Sequence, residues 1–345
     1  AAMKLYETGG FELNDKLEEH LSCDRNSTLK NISLRKLLTH QSGLQPNMPI
    51  APYLMDRRPD NTDCEGFFCR EVKGSYRVRV ADGFYFDRRY VDSIWREVHR
   101  LPVKPQRGYR YSDVNFMLLQ RVIEEKTGTA LDELVADAFY KPLGLRQTAF
   151  NPIDHFDRGR IVPTQHDRRW RHQLLRGFVH DETAALMGGV GGNAGLFSSA
   201  EDLAVIFQML LNGGQYGGRR YLRPETIELF TTAAYGNHRG LGFDKPYRTN
   251  RTSRATTASP ASFGHTGFTG AAVWVDPTEE LVFVFLSNRV HPRVRNGLLF
   301  RRNVRSRIHQ VVYDALGSFD AEIPGLETGE RKNFYLSVDR EERRY

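Results

Sequence analysis

The segment 263–287 constrains the fold more than any other stretch of the chain. Two apolar runs, 271–275 and 281–287, are separated by Asp276-Pro277-Thr278-Glu279. A proline at the second position of a turn between strand-length runs predicts an antiparallel hairpin, buried on at least one face. A helix predicted over roughly 298–316 carries Val304, Ile308, Val311, Val312 and Ala315 on one face and packs on that sheet. Directly before the hairpin stands Phe263-Gly264-His265-Thr266-Gly267-Phe268-Thr269-Gly270. Glycines bracketing the entry to a strand let a substrate lie close to backbone and leave N–H groups free to donate.

The rest of the chain reads mostly as helix and loop. A helical pattern over 1–7 has no start and ends at Gly9-Gly10; another over 32–40 stops at Ser42-Gly43. Prolines at 46, 49, 52, 59, 102 and 105 mark 45–107 as irregular. Ser112 is positioned to cap a helix bearing Val114, Met117, Leu118, Arg121 and Val122, with Gly128 as its stop. A second helix covers 130–140, and 150–182 reads as loop rich in histidine and arginine. Ser199-Ala200-Glu201-Asp202 resembles a capping box opening an amphipathic helix to Leu211. The tail 317–345 is strongly charged at its end and reads as frayed or a linker.

Composition narrows the class. With 40% hydrophobic and 26% charged residues the chain is neither collagen-like, coiled-coil nor wholly disordered. No run approaches the ~18 apolar residues of a spanning helix. The net charge of +7 comes from arginines scattered along the chain, since only ten of the 49 cations are lysine. Arg301, Arg302, Arg305 and Arg307 form a basic stripe, but no base-stacking motif stands beside it, so no nucleic-acid partner is expected. Three cysteines make no disulfide framework, although Cys64 and Cys69 are spaced for a local pair. No metal or other cofactor is expected: His180-Asp181-Glu182 cannot face one ion from a regular element and reads as a loop beside the cleft. His166, His172 and His180 read as solvated loop residues.

Four ordered landmarks carry a resemblance. Residues 34–44 (Leu34-Arg35-Lys36-Leu37-Leu38-Thr39-His40-Gln41-Ser42-Gly43-Leu44) resemble an "I-R-x-L-L-T-H-x-S-G-L" signature. Tyr111-Ser112-Asp113 stands in the place of a "Y-x-N" motif. Gly264-His265-Thr266-Gly267 stands in the place of "K/H-T-G", and 194–203 match an "A-G-L-x-S-T-x-x-D-L" helix start. The family so resembled is the serine β-lactamase-related group of class C β-lactamases, penicillin-binding peptidases and esterases. The resemblance covers the chain to about residue 316.

It implies an α+β fold of the serine β-lactamase/transpeptidase type, with an antiparallel sheet flanked by helices. A mostly helical lobe of about 45–230 would be inserted in a sheet lobe of 1–44 and 231–316, followed by the tail 317–345. It also implies an acyl-enzyme mechanism on ester, amide or peptide carbonyls. Tyr111 would be the general base or proton shuttle, and His265 would stand for the third-motif lysine. Asp113, Thr266, Gly267 and Phe268 would bind substrate, with the Phe268 N–H as an oxyanion donor.

The chain departs from the pattern in three ways. Residues 2–10 match the continuation of the family's S-x-x-K helix, so the nucleophilic serine and its lysine are expected upstream of residue 1, together with two strands of the sheet. Their loss would leave an open sheet edge, an aggregation liability. The internal matches Ser27-Thr28-Leu29-Lys30 and Ser33-Leu34-Arg35-Lys36 lie in or beside the "I-R-x-L-L-T-H" segment and are not expected to be nucleophiles. Asp113 replaces asparagine, and its charge pushes the Tyr111 phenol away from ionisation. His265 is mostly neutral at pH 7, which favours an esterase, amidase or peptidase over a dedicated β-lactamase.

The expectation is therefore a small-molecule or peptide substrate and a chain inactive by itself. A β-lactamase or penicillin-binding protein proper, or a catalytically dead binding protein, is the alternative. Kinship with cell-wall peptidases implies a periplasmic or secreted bacterial protein. In some bacterial members this domain follows a glycoside hydrolase family 3 domain, so the resemblance is consistent with a large upstream partner domain.

Overall fold

A computed structural model gives the fold; it describes residues 1–345 except 24–26, 51–52, 54–63, 65, 105–107, 234, 248–252 and 323–345, and only the backbone of 318–322. The first helix, α1 (Ala2–Glu7), ends where Gly9 takes a φ of +71° and the Gly10 N–H returns to the Leu5 carbonyl at 2.9 Å. Helix α2 (Leu34–Leu38) starts at Ser33, whose hydroxyl accepts the Lys36 N–H at 3.4 Å, and it buries Leu34, Leu37 and Leu38.

The stretch 45–107 corrects the sequence reading, because its described residues hold regular structure. Strands β1 (Phe68–Cys69), β2 (Tyr76–Ala81) and β3 (Phe84–Asp87) form an antiparallel sheet in the order β1-β3-β2, and α3 (Arg89–His99) follows. Phe68, Val80, Phe84 and Phe86 enter one core with Ile94 and Val98. Apolar alternation decides here, since the prolines all lie outside these elements. Cys64 and Cys69 form a disulfide at the entry to β1.

Helix α4 (Asp113–Thr127) buries Val114, Met117, Leu118 and Val122, and Gly128 at φ +65° ends it. Ser112 is not a side-chain cap, because its hydroxyl donates to the Gln45 carbonyl at 2.6 Å. Helix α5 (Leu131–Val135) runs on into a π-helical turn over Ala136–Tyr140. Within 150–182, read as loop, β4 (Pro163–Asp167) and β5 (Gln173–Arg176) pair antiparallel. The Asn288 amide holds β4 from outside, donating to the carbonyls of Pro163 at 2.6 Å and Thr164 at 2.8 Å. Then come α6 (Glu182–Leu186), α7 (Ala200–Leu211) and α8 (Pro224–Thr231). Ser199 caps α7 on the Asp202 N–H at 3.2 Å; the Asp202 carboxylate turns instead to the Gln147 N–H at 2.7 Å and the Thr148 hydroxyl at 2.8 Å.

The predicted hairpin forms two strands of a second antiparallel sheet, β6 (Phe263–Thr266), β7 (Ala272–Asp276) and β8 (Leu281–Phe285), in that order. His265 lies opposite Val273 and Trp274 opposite Phe283. Gly264 has to be glycine, because a Cβ there would sit 2.1 Å from the Val273 carbonyl oxygen. One face, with Phe263 and Val275, packs with Met209 and Leu210 of α7. The other, with Ala272, Trp274 and Phe283, packs against Val312.

That cover is two helices rather than one. Helices α9 (Leu298–Arg301) and α10 (Val304–Glu322) are divided where Asn303 takes a φ of +49°, and α10 continues into the stretch expected as tail. The remainder of the tail, 323–345, lies outside the described residues. Arg305 of the basic stripe is buried and donates to the Ala271 carbonyl at 3.1 Å, so it serves packing. Among the described residues the outer edge of β8 pairs with no strand.

Candidate active site

Tyr111 reaches the site from the turn ahead of α4, and His40 sets its position. The two rings stack with centroids 4.3 Å apart. His40 Nδ1 accepts the Ser112 N–H at 3.1 Å and the Asn115 amide at 2.9 Å, while Asn115 Oδ1 accepts the Ser42 hydroxyl at 2.6 Å. Donors on Nδ1 place the ring proton on Nε2, and burial pulls the His40 pKa down to about 2. His40 is thus a neutral, fixed plate behind the phenol. Gly43 allows this packing, since a Cβ there would meet the Lys104 carbonyl oxygen at 2.1 Å.

The facing wall is the end of β6. His265 shares a sheet face with Phe263, two residues back. Its ring centroid is 6.3 Å from that of Tyr111. His265 Nδ1 lies 2.9 Å from the Thr266 carbonyl oxygen, which can only accept, so Nδ1 carries the hydrogen and Nε2 keeps its lone pair. Burial lowers the His265 pKa, Asp244 opposing and Arg239 adding to the shift, so the ring is neutral at pH 7. Past Thr266 the Gly267 N–H is taken by the Ala271 carbonyl at 2.8 Å and the Gly270 N–H by Gly267 at 3.0 Å. Among the described residues no acceptor takes the Phe268 N–H. The Phe268 ring lies between two partners, His180 stacked at 5.2 Å and the Arg289 guanidinium at 4.3 Å. His180 is therefore not the solvated loop residue its sequence context predicts.

Charge is unevenly distributed. Asp113 is pushed up to about 6, by burial first and then by the like charge of Asp181, with a hydrogen bond from Tyr111 opposing. Burial likewise raises Glu182, with Asp181 adding to it. The Tyr111 phenol lies above its ordinary value, through burial and then Asp113, against the pull of Arg239. No resting tyrosinate forms in such surroundings.

The Asp113 shift makes a stability prediction. A carboxyl whose folded pKa is raised favours folding while protonated, and that advantage is lost as pH climbs from its ordinary 3.8 through about 6. Asp113→Asn should therefore raise stability at pH 7.5 by on the order of 2 kcal/mol, and give no gain at pH 3.5. Urea melts at the two pH values check it; an equal effect at both would refute the assignment.

Tyr111, Asp113, His265, Thr266, Gly267 and Phe268 all line one cavity of about 1660 Å³, which Ala1, Ala2, Asp181 and Glu182 line as well. Ser27 and Ser33 do not line it; Ser27 donates to the His99 carbonyl at 2.8 Å, and Ser33 caps α2. Ser198, Ser199 and Ser287 do, but each is engaged: Ser198 with Thr148 at 2.7 Å, Ser199 as the α7 cap, Ser287 on the Gly270 carbonyl at 3.1 Å. No lysine is among the described residues lining the cavity. The sequence reading missed Asp181 as a charge facing Asp113 and Arg239 as the cation behind Tyr111. His40 stood inside a quoted signature without a role. A like-charged pair 68 positions apart leaves no local pattern to find.

Comparisons with known proteins point one way. A family model described as Beta-lactamase matches residues 1–304. A protein of Escherichia coli strain K12 described as "Putative D-alanyl-D-alanine carboxypeptidase" is 34% identical over 299 residues, 76% of this chain and 67% of its own length. A Salmonella typhimurium protein of the same description is 33% identical over 301 residues, 77% and 68% of the two chains. Among solved structures, a penicillin binding protein from Bacillus halodurans aligns with a TM-score of 0.58 at 15% identity, over 90% of this chain and 81% of its own. An octameric penicillin-binding protein homologue from Pyrococcus abyssi aligns at 0.54 and 18% identity, over 88% and 63%. The chain thus spans about two thirds of the length of the curated relatives and less of the Pyrococcus protein. At these identities the structural likenesses establish the fold, which is that of the serine β-lactamases and penicillin-binding proteins.

Proposed function

Because the chain belongs to the Beta-lactamase family, we propose that it forms the substrate cleft of a serine hydrolase acting on amide, ester or peptide carbonyls through an acyl-enzyme. The observation that carries this reading is one convergence. Tyr111 and Asp113 meet the His265–Phe268 segment, about 150 positions away in sequence, around a single cavity, and among the described residues the Phe268 N–H has no acceptor. A free backbone N–H at the rim of a cleft is the donor that a developing oxyanion requires. Tyr111 and the Nε2 of His265 are the groups that would pass the proton of the nucleophile to the leaving group.

The nucleophilic serine and the lysine beside it are proposed to come from outside these 345 residues. Support for this is the lack of any lysine lining the cavity among the described residues, and the structural engagement of the serines that do line it. The relatives' description as D-alanyl-D-alanine carboxypeptidases favours a peptide or amide carbonyl over a β-lactam. An exported bacterial protein is the proposed setting, supported by bacterial relatives and by the Cys64–Cys69 disulfide, which persists in oxidising compartments. No helix among the described residues is long and apolar enough to cross a membrane.

A fluorophosphonate serine probe tests the assignment. The 345-residue chain should not label, whereas a form extended upstream in its reading frame should label at the serine of an S-x-x-K. Labelling of the short chain that survives Ser27→Ala and Ser33→Ala would place the nucleophile elsewhere and sink the reading.

A further inference from the structure

Resting on that reading of the cleft, the geometry points to a substrate that carries a primary ammonium, held by Asp113, in place of the carboxylate that a third-motif lysine would hold. Two independent features on either side of Tyr111 lead there. On one side the motif position that could offer a neutral amide holds Asp113, an acceptor only when ionised. It shares the cavity with a second carboxylate, Asp181, whose hydrogen-bond partners are the N–H of Ala184 at 2.7 Å and the amide of Asn193 at 3.4 Å, and among the described residues neither acid forms an ion pair. On the other side the position that could offer a permanent cation holds His265. Its one hydrogen is committed to the Thr266 carbonyl, so what remains at Nε2 is a lone pair.

Both groups therefore present acceptors toward the space around the phenol. A carboxylate brings only acceptors and negative charge and would face repulsion from Asp113. An ammonium brings three donors and the opposite charge. Among the described residues the arginine lining the cavity, Arg160, is exposed, and the buried Arg171 is already paired with Asp167 at 3.0 Å. Neither is placed to neutralise Asp113 in the way a bound amine would. The substrate class is then an unblocked aminoacyl amide, ester or peptide, with its free amine close to the scissile carbonyl.

Binding to the 345-residue chain tests this without turnover, so its outcome is separate from the probe labelling above. D-Alaninamide supplies the ammonium without a carboxylate, and N-acetyl-D-alanine supplies the reverse. Calorimetric titration at pH 7.5 should find D-alaninamide bound at least about tenfold more tightly, with Asp113→Asn removing about tenfold of its affinity and Asp181→Asn less. Asp113→Asn is expected to fold at least as well as the parent, and a melt of each variant confirms that the comparison is between folded proteins. Equal or stronger binding of N-acetyl-D-alanine would overturn the proposal. So would an Asp113→Asn variant that binds the amide unchanged, or failure of the amide to bind at tens of millimolar.

Discussion

Replacing Arg171 with methionine should destabilise the protein by about 3–5 kcal/mol, because it strands a buried carboxylate and three backbone carbonyls together. The Arg171 side chain is wholly buried. Its Nε meets Asp167 at 3.0 Å, Nη1 donates to the Val179 carbonyl at 2.8 Å and to the Val80 carbonyl at 3.4 Å, and Nη2 donates to the His180 carbonyl at 3.1 Å. The two partners shift in ways that do not describe a strong bridge. Burial raises Asp167, yet the Arg171 charge and the N–H groups of Arg169 and Trp170 outweigh it and leave the carboxyl below its ordinary value. On the arginine the balance runs the other way, and burial lowers it despite Asp167. The cost lies in breaking one side of the pair, which leaves the other charge buried without its partner. Arg171 also fixes the two residues ahead of Asp181, so its loss should disturb the His180–Phe268 stack. Urea melts of Arg171→Met and of Arg171→Lys measure the effect, with lysine intermediate because it keeps the charge but not the fork. A loss below about 1 kcal/mol for methionine would show that water or a neighbour satisfies the carbonyls.

How much of this was legible in the sequence depends on the range of the interaction. The hairpin, α4, α7 and their glycine or serine ends were, since turn proline, apolar period and cap residues act within a few positions. The sheet β1-β3-β2 was legible in principle: residues 76–81 alternate and 84–86 are aromatic. It was hidden only by the prolines on either side. Strands β4 and β5 carry no such alternation; β4 is held by an asparagine more than a hundred positions away and β5 by pairing with β4, and nothing local announces that. The break at Asn303 was missed because the apolar period continues across it, and only the left-handed backbone interrupts the helix.

The site divides in the same way. The motif residues were named and the structure brings them to one cavity, because short motifs carry position along the chain faithfully. The sign of the Tyr111 shift was anticipated from the charge of Asp113, yet burial is its larger cause. Burial is a property of the assembled wall, and His265 shows the same thing: the sequence puts its neutrality near a reference value, and the structure pushes it further. Arg171, Arg239 and Asp181 came from no motif at all. Arg171 and Arg239 pair with acids four and five positions away, in spacings that do not announce burial, and Asp181 opposes Asp113 across 68 positions, so their roles emerge only when the fold closes.

The Arg239–Asp244 pair shows what that closure does for the chemistry. Arg239 is almost fully buried, pairs with Asp244, and donates to the Gly242 carbonyl at 3.3 Å. Asp244 in turn exchanges backbone hydrogen bonds with Gly264, at 2.7 and 3.0 Å, directly beside His265. Paired, the two charges oppose each other at the imidazole, where Asp244 raises and Arg239 lowers the pKa. Arg239→Met leaves Asp244 alone, so His265 should become easier to protonate and its titration, followed by NMR of the ring proton, should move upward. The same variant should lose about 3–5 kcal/mol in a urea melt, as expected when one member of a buried pair is removed. The double variant Arg239→Met/Asp244→Asn removes both charges. It should return the His265 titration toward the parent value and recover part of the stability, which a purely steric role for Arg239 would not allow. A His265 titration unmoved in the single variant would detach this pair from the site. If it moves and the double variant restores it, the neutrality of His265 is maintained by an opposed charge pair as well as by burial, and the acceptor it offers at Nε2 persists at the pH where the cleft would bind its substrate.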